Sequence, residues 1–124
     1  MQMFKGGCHC GKVRFEIKAD LYGTEIHNCN CSICTKKGFL HLHVKPEDFN
    51  LLTDESHLSD YRFNTRTARH LFCKTCGMHA YYISRSHPHL IDVNVRCLED
   101  IDMNQLNIIN FDGRNWEANI DGIR

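Results

Sequence analysis

The sequence predicts a mainly β fold: one small domain spanning residues 1–124, built of small antiparallel sheets with little helix, and stapled by zinc. Three observations lead there. Short segments alternate apolar and polar residues with a period of two, the mark of half-buried strands. Turn signals separate these segments roughly every ten to fifteen residues. The eight cysteines fall in close pairs and a triplet rather than singly, apart from Cys97.

Taken in order, Cys8-His9-Cys10-Gly11 follows Gly6-Gly7 and leads into Lys12-Val13-Arg14-Phe15-Glu16-Ile17-Lys18, a strictly alternating strand. Tyr22 to Asn28 reads as a second strand, running straight into Cys29-Asn30-Cys31-Ser32-Ile33-Cys34. Phe39 to Val44 is extended, with Phe39, His41 and His43 on one face and Leu40, Leu42 and Val44 on the other, and Pro46 ends it. A turn from Pro46 leads to a short strand near Leu51, and Leu58 to Phe63 resumes the alternation before a turn at Asn64 to Thr67.

Arg69 to Phe72 delivers Cys73-Lys74-Thr75-Cys76-Gly77, whose glycine permits the positive-φ turn that aims backbone N–H groups at thiolates. Strands follow at His79 to Ile83 and Leu90 to Val95, with a loop between them at Ser86 to His89. A helical turn is expected over Cys97 to Asp102. Ile108 to Phe111 then runs into an Asp112-Gly113 turn, and Trp116 is expected to anchor the tail on the core. Tyr81 and Tyr82 alternate faces, so one belongs to the core.

Fifteen basic residues balance fifteen acidic ones, leaving no field to hold a nucleic acid or an anionic membrane. No apolar run approaches a membrane span, and the first residues lack the pattern of a secretory signal. The expected setting is therefore a reducing one, cytoplasmic or also nuclear. There, clustered thiols point to metal rather than to a four-bridge disulfide framework.

Cys8 and Cys10 together with Cys73 and Cys76 make a complete tetrahedral thiolate set, read as a structural site. Cys29, Cys31 and Cys34 then hold a second metal with Cys97 as the only other thiol. If Cys97 reaches it, both sites are closed and the protein is a zinc-stapled module that binds a protein partner. If Cys97 is a buried free cysteine, the reading favoured here, one position stays open. Zinc suits these soft ligands. Three thiolates blunt its power to acidify water and favour exchange with a small thiol, which could then attack an electrophile such as an aldehyde.

Gly7-Cys8-His9-Cys10-Gly11-Lys12-Val13-Arg14-Phe15-Glu16, the triplet with Lys36-Lys37, the Phe72-to-Gly77 knuckle and Phe111-Asp112-Gly113-Arg114-Asn115-Trp116 resemble the glutathione-dependent formaldehyde-activating enzyme family. The sequence looks closest to its centromere protein V branch, on Tyr61-Arg62-Phe63-Asn64-Thr65, Arg85-Ser86 and Asn94-Val95-Arg96-Cys97-Leu98. The resemblance implies a mainly β, tent-like fold and two zinc ions. The structural ion would sit on Cys8, Cys10, Cys73 and Cys76, and the catalytic one on Cys29, Cys31 and Cys34. It also implies a carbon–sulfur lyase or synthase activity joining glutathione to formaldehyde.

The remaining polar residues carry weaker expectations. His41 and His43 share a strand face but are expected to be satisfied side chains rather than ligands, and His9 is expected to point away from the metal. His79, Asp92 and Asn94 could supply a general base or a partner to the site, against the alternative of ordinary strand polarity. Lys36, Lys37, Arg66 and Arg69 could hold the carboxylates of glutathione, against the alternative of a solvated face.

Overall fold

The computed structural model describes residues 1–62, 68–84 and 87–115. Trp116, Arg66, the Arg85-Ser86 pair and the turn expected at 64–67 lie outside those residues.

The chain begins with a hairpin that the sequence only half announces. β1 (Gln2–Gly7) pairs antiparallel with β2 (Arg14–Ala19), from Gln2↔Ala19 to Gly7↔Arg14. Only Phe4 gives the first strand a deeply buried large side chain, so its extended form comes from pairing with β2 rather than from its own pattern. β3 (Glu25–Cys29) follows, then α1 (Ser32–Lys37), where the sequence reading assigned no helix. Cys31 precedes α1 as its N-cap and Gly38 follows it as its C-cap, where a φ of 68° closes the turn.

β4 (Leu40–Val44) precedes a 3-10 turn at Pro46–Asp48. β5 (Phe49–Leu51) then joins the far side of β2, completing a three-stranded sheet in the order β1-β2-β5. β6 (Leu58–Tyr61) and β7 (His70–Cys73) form a separate antiparallel pair.

β8 (Tyr81–Tyr82), β9 (Ile91–Asn94) and β10 (Asn107–Phe111) complete a five-stranded sheet in the order β10-β3-β4-β9-β8. Its neighbours are antiparallel except β10, which runs parallel to β3 from Asn107↔Glu25 to Phe111↔Cys29. The expected helical turn falls earlier, as a 3-10 turn at Val95–Cys97.

The two faces of this sheet differ in kind. Ile26, Leu40, Leu42, Val44, Tyr81 and Val93 pack into the apolar core with Val13, Phe15 and Ile17. Phe15 joins the two sheets, stacking on Phe49 at 5.4 Å and meeting Tyr81 edge-on at 6.3 Å between ring centroids. The opposite face carries His27, Cys29, Phe39, His41, His43, Tyr82 and Asp92. Both tyrosines are therefore buried, Tyr81 in the apolar core and Tyr82 on this polar and aromatic face.

Candidate functional site

The eight cysteines are free thiols, and seven of them gather in two groups. Cys8 and Cys10 sit in the tight connection between β1 and β2, and Cys73 and Cys76 in the turn after β7. Their four sulfurs lie within 4.8 Å of one another. The Cys8–Cys10 and Cys10–Cys73 sulfur separations are both 3.6 Å. Zinc–sulfur bonds of about 2.3 Å at tetrahedral angles set sulfurs about 3.8 Å apart. The Val13 N–H donates to Cys8 Sγ at 3.3 Å, and Gly77, at φ 76°, donates from its N–H to the Cys73 carbonyl at 2.8 Å. This group could hold one zinc ion on a closed set of thiolates.

The second group is Cys29, at the end of β3, with Cys31 and Cys34 at the start of α1. The Cys31 N–H donates to Cys29 Sγ at 3.5 Å, and the Asn30 N–H bonds the Phe111 carbonyl at 3.1 Å, tying the loop to β10. Cys34 is buried and Cys29 and Cys31 are half-buried; Cys29 and Cys34 line a groove of about 520 Å³ together with Asn28, Asn110 and Arg114 among others. Asn28 Nδ2 donates to Asn110 Oδ1 at 3.2 Å across that lining.

Gly113 opens a 3-10 turn laid directly over the triplet. A Cβ there would overlap Cys29 Sγ and come within 3.0 Å of the Cys31 Cβ, so glycine leaves room for the sulfurs. Arg114 fastens the turn from its backbone N–H to Asn30 Oδ1 and from its Nε to the Asn30 carbonyl, both at 3.0 Å. Strand period and cysteine spacing do not reveal this clamp; its signal in the sequence is the Phe111-to-Trp116 run that carries the family resemblance.

Cys97 joins neither group. Its sulfur lies 3.8 Å from the His79 carbonyl, and burial, with smaller effects from Cys8 and Cys76, pushes the thiol up to about 11. The geometry thus matches the free-cysteine reading.

On the polar face of the sheet, His41 Nδ1 lies 2.9 Å and His43 Nε2 3.3 Å from the same Asp92 oxygen. Burial alone would raise the Asp92 carboxyl, but the two imidazoles outweigh it and hold the group well below the usual carboxylate range. Burial lowers His43, while its bond to Asp92 prevails and raises it.

Asn94 is engaged structurally: its carboxamide oxygen accepts the Leu40 and Arg96 N–H groups, and its Nδ2 donates to the His79 carbonyl. The His79 ring packs on Phe72 at 5.5 Å between centroids, and burial brings it down to about 4. His9 is exposed and belongs to neither thiol group.

Among the cations, Lys36 is exposed and Arg69 pairs with Asp60 at 3.3 Å. Lys37 is largely sequestered: its Nζ lies 4.8 Å from the Tyr82 ring centroid and 5.3 Å from that of Phe39, and donates to His70 Nδ1 at 2.9 Å. Burial brings Lys37 down to about 8 and His70 to about 4, so the neutral imidazole accepts a hydrogen bond from the ammonium, which keeps its proton.

The family model described as glutathione-dependent formaldehyde-activating enzyme matches residues 3–110. Among solved structures, the crystal structure of a Rhodobacter sphaeroides protein superposes with a TM-score of 0.76 at 34% sequence identity, covering 86% of this chain and 97% of that one.

Proposed function

The chain belongs to the glutathione-dependent formaldehyde-activating enzyme family, and from that premise we propose that it is a zinc enzyme of the carbon–sulfur lyase or synthase type. Its substrates in this reading are a small thiol, glutathione foremost, and formaldehyde or a related small electrophile. The observation that carries the proposal is the triplet Cys29, Cys31 and Cys34, half-open to a groove, with Cys97 engaged elsewhere.

The donor set fits zinc. Three sulfurs within 4.8 Å of one another and a glycine at 113 that keeps Cβ bulk off them make a cradle for one soft ion. Bound there, zinc would favour the thiolate form of an incoming thiol, which is the nucleophile.

The protein's own groups do the rest. The groove seats the body of the thiol, where Asn28, Asn110 and Arg114 offer amide and guanidinium groups to a peptide's carbonyls and carboxylates. Lys37, three residues after Cys34 and therefore on the same side of α1, places a cation beside the thiolates. Cys8, Cys10, Cys73 and Cys76 hold the structural ion.

The deciding experiment incubates the zinc-loaded protein with a panel of thiols and aldehydes and follows adduct formation by product mass. Glutathione with formaldehyde is expected to react faster than background, and the gain to vanish in Cys34→Ser. No acceleration with any pair would overturn the enzyme reading in favour of a zinc-stapled interaction module.

A further inference from the structure

The groove beside the triplet carries a charge of each sign. Among the described residues that line it, Asp112 and Arg114 are the ionisable side chains other than the cysteines, and they flank Gly113, the residue laid over Cys29. A site for a simple anion would present cations alone, and a site for a polyphosphate would present several. A cation and an anion on one short turn suit a ligand that carries both charges itself.

Arg114 turns to Asn30 rather than to Asp112. Its Nε donates to the Asn30 carbonyl at 3.0 Å, and its terminal guanidinium nitrogens make no hydrogen bond or ion pair among the described residues. Asn115 Nδ2 donates to Asp112 Oδ2 at 2.7 Å and Asn30 bonds the same side chain, which orients the carboxylate and keeps its charge in place. A carboxylate accepts up to about four hydrogen bonds, so it takes an ammonium beside these.

We propose that the groove selects γ-glutamyl thiols. Arg114 takes the α-carboxylate and Asp112 the α-ammonium of the amino-acid end, while Asn28 and Asn110 take the peptide group between that end and the sulfur. The inference rests on the thiol–aldehyde reading above and names the part of the thiol that the protein recognises.

The two amides fit a peptide group for a simple reason. Asn28 Nδ2 donates to Asn110 Oδ1 at 3.2 Å, which leaves the carbonyl oxygen of the first and the amino group of the second to meet one N–H and one C=O.

The spacing fits as well. A chain of about seven bonds, roughly 8 Å when extended, separates the sulfur of a γ-glutamylcysteine from the carbon that bears its ammonium and carboxylate. A thiol seated at Cys29 and Cys34 thus carries its charged end along the groove that these cysteines share with Asp112 and Arg114. An ordinary cysteinyl peptide has no such end, because its ammonium and carboxylate sit on different residues. A thiol bearing phosphates would bring them against Asp112, which repels them.

The test is titration calorimetry of peptide thiols into the zinc-loaded protein. Glutathione and γ-glutamylcysteine are expected to bind alike. Glutaryl-cysteinylglycine, which lacks the ammonium, and 4-aminobutanoyl-cysteinylglycine, which lacks the carboxylate, are each expected to bind about 10-fold more weakly, the scale of a hydrogen-bonded charge lost. Asp112→Asn should weaken glutathione by that factor and leave the glutaryl peptide unchanged, and Arg114→Gln should do the same with the 4-aminobutanoyl peptide as the indifferent ligand. A structural effect on the turn would not sort the ligands in this way. Equal losses on all the peptides, or a native protein that binds them all alike, would overturn the proposal, and the second comparison needs no variant to fold. Preference for coenzyme A over glutathione would keep the thiol reading and overturn the γ-glutamyl one. Binding of no thiol at all would overturn the thiol reading itself.

Discussion

Gly113 has no side chain to contribute, yet its missing Cβ leaves room for the triplet's sulfurs. Gly113→Ala would drive a methyl group onto Cys29 Sγ and displace a ligand, while leaving the four-cysteine group untouched. Its expected outcome is a fall of about 10–100-fold in zinc affinity at one of the two sites, the scale seen when supporting residues around a metal are altered. Competition with a chromogenic chelator would measure it, and an unchanged two-site titration would contradict the clamp. At the same scale, Asp92 differs from a routine strand polar residue because two histidines converge on one of its oxygens.

α1 is six residues long, far below the length at which a helix holds by itself in water. No acidic residue occupies its first turn, and the Cys31 side chain makes no capping bond, so little local chemistry favours it. What holds it is burial of Cys34, the lysines in its last turn, Gly38 at its end and, in the proposed holo form, the metal joining Cys31 and Cys34 to β3. In Cys34→Ser, backbone amides of α1 are therefore expected to exchange with deuterium almost without protection, while β2 and β4 stay protected. Equal protection of α1 in native protein and variant would show that the metal is not its support.

Across the whole molecule the two thiol groups stand in unlike places. Cys8 and Cys10 stand between β1 and β2 while Cys73 and Cys76 follow β7, so an ion there joins the three-stranded sheet to the β6–β7 pair. Structural zinc in small domains contributes on the order of 10 kcal/mol, comparable to the entire stability of a domain this size. Cys73→Ser is expected to abolish the cooperative thermal transition, and Cys34→Ser to keep it with half the zinc. Circular dichroism and metal analysis on the two variants decide this, and equal losses of fold would contradict the division of roles.

Strand positions were legible because β2 and β4 alternate strictly, and a period of two survives whatever the neighbours are. The three groupings of cysteine were legible because chelation works over short spacings. The sequence could not say that β10 lies parallel to β3, since register and strand order depend on which faces bury together. Nor could it show α1, which depends on contacts that close only in the folded chain.

The chemistry divides the same way. Alternation along β4 put His41 and His43 on one face, while Asp92, some fifty residues away, could meet them only once β9 paired with β4. The sequence alone determined a mainly β, thiol-rich domain with two candidate metal groups, because ligand type and strand period are local properties. Only the tertiary structure decided that Cys97 stays apart from the triplet, that Gly113 roofs it, and that a buried histidine–aspartate pair shares its sheet face. Those facts depend on distances between residues far apart in the chain, which packing sets and spacing does not.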